Sequence, residues 1–248
     1  MQPHEPFHII RLRAVDSTNN YAKVIMDKHF PVPFVVVADE QTRGRGQQGN
    51  TWQSEAGKNL LLSIVLFPEN MRAEDQFLLN KMVSLAVCQF ISLHFDGKLA
   101  VKWPNDVLAG GKKIAGILIE NFISAEKITK SVIGIGININ QAAFGEDLSR
   151  AVSLKMLNGK TYSVDTCLSE FTGILKNCLY LMEDKSVPKL HGAYLNLLFG
   201  LNETRQYRYK SSTVEAVIKG VDNYGRLLLQ VTDGSEIKCN FKEIEFLF

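Results

Sequence analysis

The residues best suited to chemistry begin with a glycine-rich loop, Gln41–Trp52, that contains two arginines. Three glycines between positions 44 and 49 allow the backbone to approach a ligand closely and to present its N–H groups. Arg43 and Arg45 add permanent positive charge and forked donors that suit carboxylates and phosphates. This composition predicts an anion-binding loop rather than a flexible surface loop whose charges are incidental.

The same loop also matches a dinucleotide-binding pattern, Gly44-x-Gly46-x-x-Gly49, so a non-catalytic dinucleotide-binding module is an alternative. That pattern needs a strand that ends at its first glycine and a helix that begins at its last. The predicted strand Phe34–Ala38 ends several residues too early, and Asn50–Lys58 is polar and rich in turn residues. No Gly-Lys-Ser/Thr follows, which also excludes a P-loop.

A second segment places Lys102 at the end of a predicted strand, immediately before Trp103 and Pro104. The proline stiffens the turn and restrains the tryptophan to an extended backbone. Asn105 and Asp106 then project polar groups from a fixed position. Hairpin formation alone would explain Trp-Pro-Asn-Asp, but it would not explain a lysine beside a tryptophan that we expect to be buried.

Glycines interrupt two apolar segments further along the chain. Gly116 lies within Lys112–Glu120, where either close approach of a ligand or a β-bulge would explain it. Gly134 and Gly136 alternate along a second predicted strand. They leave one of its faces smooth, which predicts room for a flat ligand that Asn138 could recognise.

The elements that position these segments are segregated along the chain rather than alternating. Gly110-Gly111 is a strong signal for a two-residue hairpin. The segregation favours an α+β fold with an antiparallel or mixed central sheet and flanking helices. Predicted strands are Phe34–Ala38, Asn59–Phe67, Leu99–Trp103, Asp106–Ala109, Lys112–Phe122 and Ser131–Asn140; predicted helices are Asn19–Lys28, Glu74–His94, Val164–Glu183 and Val187–Phe199.

The character of the chain changes after Gly200. Five short strands separated by turn residues predict a small C-terminal β-barrel. We therefore expect two domains, residues 1–200 and 201–248. The five predicted strands are Gln206–Lys210, Thr213–Lys219, Arg226–Val231, Glu236–Asn240 and Glu243–Phe248.

Composition excludes several classes of protein. Hydrophobic residues make up 46% of the 248 residues, enough for a substantial core, and a net charge of +2 argues against nucleic-acid binding. The longest apolar run, near Leu60–Phe67, is too short to cross a membrane. The four cysteines show neither zinc-site nor Cys-x-x-Cys spacing, and Met1–Val15 lacks a leader's hydrophobic region. We expect a cytoplasmic protein with reduced cysteines.

Five segments, in order, resemble the motifs of biotin–protein ligases, also called holocarboxylase synthetases. The resemblance implies a central mixed sheet related to class II aminoacyl-tRNA synthetases, with an SH3-like barrel at the C-terminus. The segments are Asp16–Asn19, the loop Gln41–Trp52, the Lys-Trp-Pro-Asn-Asp of Lys102–Asp106, Lys113–Glu120 and Gly134–Asn138.

The reaction that the resemblance implies has two steps. Biotin and ATP, which brings Mg²⁺, give biotinyl-5′-AMP and pyrophosphate; a lysine of a biotin carboxyl carrier protein then takes the biotin. Both reacting groups of the first step are anions, so Lys102 and Arg45 are expected to neutralise them. Asp106 is expected to position or deprotonate the incoming amine. No carboxylate cluster predicts a protein metal site.

The same resemblance implies two binding regions. The expected biotin-binding residues are Ser17, Thr18, Asn19, Gln41, Gly44, Arg45, Gly46, Gln47, Lys113 and Gly116. The expected ATP- or adenylate-binding residues are Arg43, Arg45, Trp52, Lys102, Asn105, Lys113 and Asn138.

One position departs from the family pattern, and several alternatives stay open. Many members have arginine where this loop has Gln47, so fewer cations face the adenylate.

A lipoate– or octanoyl–protein ligase would share the catalytic fold, and an unspecified α+β protein would not explain the motifs. Because Asp16 lies near the start of the sequence, we expect no helix-turn-helix domain before it and no regulation of transcription by DNA binding. The protein could be a monomer or a homodimer.

Overall fold

A seven-stranded sheet forms the larger part of the structure, a computed structural model that describes residues 7–28, 33–182 and 186–247. The strand order is β1-β2-β3-β7-β6-β5-β4. β1 and β2 are parallel and all other neighbours are antiparallel, which confirms the predicted α+β fold with a mixed sheet. The strands are β1 (His8–Val15), β2 (Phe34–Gln41), β3 (Leu60–Leu66), β4 (Leu99–Lys102), β5 (Asp106–Ala109), β6 (Lys112–Ser124) and β7 (Lys127–Ile137).

The described residues include five α-helices: α1 (Thr18–Ile25), α2 (Phe77–Ser92), α3 (Leu154–Asn158), α4 (Val164–Leu179) and α5 (Val187–Leu197). Successive side chains of β2 point to opposite faces. Phe34 and Val36 pack in a small core with α1, whereas Val35 and Val37 belong to the large core that includes α2 and α4. The sheet is therefore covered on both faces.

β1 and α3 were not predicted from the sequence. The side chains of β1 are exposed or only half-buried, because β1 lies at the edge of the sheet, so its apolar pattern is weak. α3 is a single short helix. The hydroxyl of Ser153 accepts a hydrogen bond from Met156 N at its start, and Gly159 ends it with a φ of 75°.

A second, five-stranded antiparallel sheet follows, and it confirms the five predicted strands with small changes at their ends. Its order is β11-β10-β9-β8-β12. Closure into a barrel and the domain boundary at residue 200 stay predictions. The strands are β8 (Thr204–Tyr209), β9 (Ser212–Val221), β10 (Leu227–Val231), β11 (Glu236–Cys239) and β12 (Ile244–Phe246).

The two sheets meet at the tryptophan that follows Lys102. Trp103 is buried, and its Nε1 donates a 2.8 Å hydrogen bond to the carbonyl oxygen of Gly225, in the turn between β9 and β10. Its ring centroid lies 5.3 Å from that of Phe241. A Cβ on Gly225 would lie 2.6 Å from the ring of Phe77, so only glycine allows this turn to approach α2 so closely. The second sheet therefore supports the turn that carries Lys102.

The four cysteines, Cys88, Cys167, Cys178 and Cys239, are free thiols in buried positions. Burial raises the pKa of the Cys88 thiol to about 12, which disfavours the reactive thiolate. In the described ranges, no helix has the length and apolar character needed to cross a membrane.

Candidate active site

The buried end of the candidate pocket is formed where β1 and β2 end. These strands run parallel, with Val15 paired to Gln41, so the start of α1 and the end of β2 meet at one edge of the sheet. The side chain Oε1 of Gln41 accepts hydrogen bonds from Thr18 N at 2.8 Å and from Thr18 Oγ1 at 3.1 Å. Ser17, Thr18 and Asn19 are 1–3% exposed. This region can hold a polar group away from water.

Asn19 occupies space that a side chain at position 134 would need. A Cβ on Gly134 would collide with the carboxamide of Asn19. That carboxamide is fixed, because its Nδ2 donates to Glu120 Oε2 at 2.9 Å and its Oδ1 lies 2.6 Å from the Ser63 hydroxyl. The missing side chain at Gly134 therefore makes room for Asn19 and not for a ligand.

The ring of Trp52 packs against the other two glycines of this face, Gly116 and Gly136. A Cβ would lie 2.5 Å from its ring at Gly136 and 2.9 Å from it at Gly116. The face predicted to be smooth for a flat ligand is therefore covered here by Asn19 and Trp52. The indole Nε1 is buried and has no hydrogen-bond partner among the described residues.

The loop carries Trp52 on a small hairpin of its own. Arg45 and Thr51 form an antiparallel bridge, Gly46 N donates to Asn50 O at 2.7 Å, and Trp52 N donates to the carbonyl of Gly44 at 3.0 Å. These bonds turn the loop over the pocket, so that a basic and an aromatic side chain enter it together.

Two basic side chains line the pocket, and each is paired with a carboxylate. Arg45 NH1 lies 3.0 Å from Glu120 Oε2, and Lys113 Nζ lies 2.6 Å from Asp106 Oδ1. Lys113 Nζ also lies 5.6 Å from the centroid of the Trp52 ring. The pocket lining therefore contains two cations that could bind anionic groups, and each is held in place by a carboxylate.

Lys102 lines a second, adjoining cavity rather than the pocket itself. The two cavities share Gln47, Asn50 and Asp106, and Ile244 and Phe246 of β12 complete the second one. Lys102 Nζ lies 5.2 Å from the centroid of the Phe246 ring. Burial lowers the pKa of Lys102, although the nearby charge of Asp106 opposes this effect.

Three predicted ligand-binding residues have other surroundings. Arg43 is exposed and is not among the residues that line either cavity. Asn138 is buried outside the pocket lining, and its Nδ2 donates to the carbonyl of Val152 at 3.1 Å. Asn105 does line the pocket, but its Nδ2 already donates to Ile117 O at 2.8 Å.

Most of the other predicted residues are brought together, along with some that were not predicted. Gly44 is buried beneath the loop, where a Cβ would collide with the carbonyl of Trp52. Leu62, Ile117, Leu118 and Ile135 add apolar walls; their apolar strands indicated burial, but nothing in the sequence indicated which of them face a pocket. The lining comprises Ser17, Thr18, Asn19, Gln41, Arg45, Gly46, Gln47, Asn50, Thr51, Trp52, Leu62, Asn105, Asp106, Lys113, Gly116, Ile117, Leu118, Gly134, Ile135 and Gly136.

Among the described residues, His94, Cys167 and Glu170 have ligand atoms close enough together to hold a metal ion. His94 Nε2 lies 2.9 Å from Glu170 Oε2, so this contact also has a simpler explanation as a hydrogen bond. None of the three lines the pocket or the adjoining cavity.

The chain matches known proteins over most of its length. A model of the biotin/lipoate A/B protein ligase family matches residues 12–138. The bifunctional ligase/repressor BirA of Bacillus spizizenii is 30% identical over 237 residues, which cover 92% of this chain and 70% of that protein. The biotin–[acetyl-CoA-carboxylase] ligase of Paracoccus denitrificans is 28% identical over 208 residues, 82% of this chain and 86% of that protein.

A similar structure is known with ligands bound. The biotin protein ligase of Aquifex aeolicus, in complex with biotin and ATP, superposes with a TM-score of 0.80 and 26% sequence identity. The superposition covers 97% of this chain and 98% of that one.

Proposed function

The chain belongs to the biotin–protein ligase family, and we propose that its pocket joins biotin to ATP as biotinyl-5′-AMP and transfers the biotin to a lysine of a carrier protein. The observation that carries this proposal is the order of groups along two adjoining cavities that share three lining residues. A buried polar end at Thr18 and Gln41 is followed by the cations Arg45 and Lys113, and then by Lys102 in the adjoining cavity.

The first step brings two anions together. A carboxylate oxygen of biotin attacks the α-phosphorus of ATP, an acyl–phosphate bond forms, the α–β phosphoanhydride bond of ATP breaks, and pyrophosphate leaves. We assign Lys102, Arg45 and Lys113 to neutralise the carboxylate and the phosphoryl oxygens as charge develops. Ser17, Thr18, Asn19 and Gln41 would hold the other end of biotin by hydrogen bonds.

Water would hydrolyse the mixed anhydride, so the pocket must exclude it. The loop Gln41–Trp52 is suited to this task because it turns over the pocket with Trp52 against the glycines of β6 and β7. Within this proposal, Trp52 contributes apolar cover and the unpartnered Nε1 donor.

In the second step the acceptor amine attacks the carbonyl carbon, AMP leaves, and one proton must leave the amine. Asp106 is the carboxylate that lines both cavities, and we propose that it positions this amine. Its partner Lys113 would hold the Asp106 side chain in place.

Mg²⁺ would enter with ATP as part of the substrate. Among the described residues that line the two cavities, the carboxylates are Asp106 and Glu245, and Asp106 is paired with Lys113. This donor set fits an ion held mainly by phosphate oxygens and water, as is usual for Mg²⁺.

The acceptor that we propose is the biotin carboxyl carrier of a biotin-dependent carboxylase, as the name of the Paracoccus denitrificans relative indicates for that protein. A reducing compartment such as the cytoplasm would suit four free thiols.

The test is biotin-dependent exchange of radiolabelled pyrophosphate into ATP by the full chain. Lys102→Ala should abolish the exchange, whereas Lys112→Ala, which removes an exposed lysine from the β5–β6 hairpin, should leave it unchanged. Lipoate is the competing substrate in a parallel assay. Exchange that depends on lipoate and not on biotin would refute the assignment, and exchange that survives in Lys102→Ala would remove Lys102 from its role.

A further inference from the structure

Glu120 is the centre of a polar cluster that lies beside the pocket without lining it. Its carboxylate accepts hydrogen bonds from Arg45 NH1 at 3.0 and 3.1 Å, from Lys23 Nζ at 3.0 Å and from Asn19 Nδ2 at 2.9 Å. The donors come from the covering loop and from α1, while Glu120 itself lies on β6. One carboxylate therefore joins three elements that surround the pocket.

The cluster keeps this carboxylate ionised. Burial of Glu120 by itself would raise its pKa, but the hydrogen bonds from Asn19 and Lys23 and the charges of Lys23 and Arg45 outweigh that effect and lower the pKa. The side chain is 23% exposed, so its interactions are less screened than those of a surface pair.

Arg45 connects Glu120 to the covering loop. Its NH1 also donates to Asn20 Oδ1 at 2.9 Å, so two residues outside the loop fix the guanidinium. The backbone of Arg45 bridges Thr51, and Trp52 follows directly with its ring on Gly116 and Gly136. A movement of Arg45 away from Glu120 would therefore move Trp52 as well.

We infer that Glu120 is a positioning residue that holds the covering loop closed. It binds Arg45, and through the Arg45–Thr51 hairpin it keeps the ring of Trp52 against Gly116 and Gly136. This inference rests on the proposed function only for its catalytic consequence. The attachment itself is a property of the protein without substrates and is measured without them.

Tryptophan fluorescence provides that measurement, because the chain contains two tryptophans and Trp103 is only 2% exposed. Quenching by acrylamide therefore reports mainly on Trp52. Loss of one charge-assisted hydrogen bond should shift the open-to-closed ratio of the loop by roughly tenfold. We expect stronger quenching in Glu120→Ala and a smaller increase in Glu120→Gln, whose amide oxygen can still accept from Arg45. Arg45→Ala should show an increase at least as large as that of Glu120→Ala, because it also loses the contact with Asn20.

The control and the double variant separate positioning from a general loss of charge. Lys23→Met removes the other cation on Glu120 but keeps the Arg45 contact, so its quenching should equal that of the wild type. The double variant is Arg45→Ala/Glu120→Ala. If Glu120 acts through Arg45, acrylamide should quench its fluorescence to the same extent as that of Arg45→Ala alone. Additive effects in the double variant, or equal quenching in Lys23→Met and Glu120→Ala, would overturn the inference.

Two further readouts keep the test decisive. If Glu120→Ala fails to fold, the comparison of Arg45→Ala with Arg45→Ala/Glu120→Gln still tests the coupling, and any additional quenching from Glu120→Gln would overturn it. In pyrophosphate exchange we expect kcat/KM to fall roughly tenfold in Glu120→Ala. Absence of exchange in the wild type would refute the proposed function while leaving the quenching result to decide the role of Glu120.

Discussion

The ring of Trp52 lies against the backbone of Gly136, where a Cβ would come within 2.5 Å of Cε2. This contact joins the covering loop to the central strand β7. Since no methyl group fits between them, the identity of residue 136 determines whether the loop can close in the observed way.

Gly136→Ala should therefore displace Trp52 and open the pocket. We expect pyrophosphate exchange to fall more than tenfold, an effect equivalent to about 1.4 kcal/mol or more, while the thermal unfolding midpoint changes by only a few degrees. Gly145→Ala is the matched control, because Gly145 has a φ of −59° and a Cβ at this position would meet nothing within 4 Å. Equal activities of the two variants would contradict this account of Gly136.

Trp103→Phe tests the contact between the two sheets. The substitution keeps an aromatic ring near Phe241 but leaves the carbonyl of Gly225 without its donor, which should cost about 1–2 kcal/mol in the free energy of unfolding. Chemical denaturation would measure this. Trp52→Phe is the comparison, since its Nε1 has no partner among the described residues and should cost less. A larger loss in Trp52→Phe would contradict the prediction.

Lys81 provides a pH-dependent prediction. It is 1% exposed, its Nζ lies 2.8 Å from His191 Nδ1, and burial lowers its pKa from 10.5 to about 8, although the charge of Asp222 opposes this effect. Between these two pH values the unfolded chain binds more protons than the folded one, so the contribution of Lys81 to stability rises with pH. Below pH 8 the buried charge costs up to about 3 kcal/mol.

Lys81→Met should consequently stabilise the protein most at pH 7, and the advantage should shrink as the pH approaches 10.5. The measurement is the difference in unfolding free energy between the variant and the wild type at several pH values, since other groups cancel in that difference. Lys81→Met leaves burial but removes the charge of Lys81 as a cause of the lowered pKa of His191, so the comparison is made at pH 7 and above, where a histidine carries little charge. A difference that is constant from pH 7 to 10 would refute the prediction.

Gln47→Arg tests the position where the loop departs from the family pattern. Gln47 lines both cavities, so an arginine there would add a cation beside the adenylate. We predict that release of the adenylate slows roughly tenfold, as expected for one added charge-assisted hydrogen bond. Single-turnover experiments would measure the release. Gln53→Arg adds the same charge at an exposed position outside both cavities, and an equal slowing there would indicate only a general charge effect.

Local sequence patterns predicted most of the secondary structure and the segments that form the pocket. β3 and the second half of β7 are mostly apolar, and the turn after Lys102 follows directly from proline chemistry. The edge strand β1 escaped prediction because half-exposed residues dilute its pattern. The elements that were predicted depend on residues close to one another in the sequence, and local patterns carry information only over that range.

Pairings between distant residues could not be predicted in the same way. Glu120 was part of a recognised motif, but its contact with Arg45 spans 75 positions and depends on the packing of three elements. The glycines at positions 116, 134 and 136 indicated free space, yet the sequence could not show that Asn19 and Trp52 fill it. Likewise, the sequence could not show that Asn138 Nδ2 donates to the carbonyl of Val152, and contact of Asn138 with a ligand stays a prediction.

The position of β7 between β3 and β6 has a consequence for synthesis of the protein on the ribosome. Leu60 pairs with Ile137, and Ala115 pairs with the same residue from the other side. Both halves of the pocket are therefore translated before the strand that joins them. Until residue 137 has emerged, β3 and β6 each lack their β7 neighbour, and such unpaired apolar edges expose a nascent chain to aggregation.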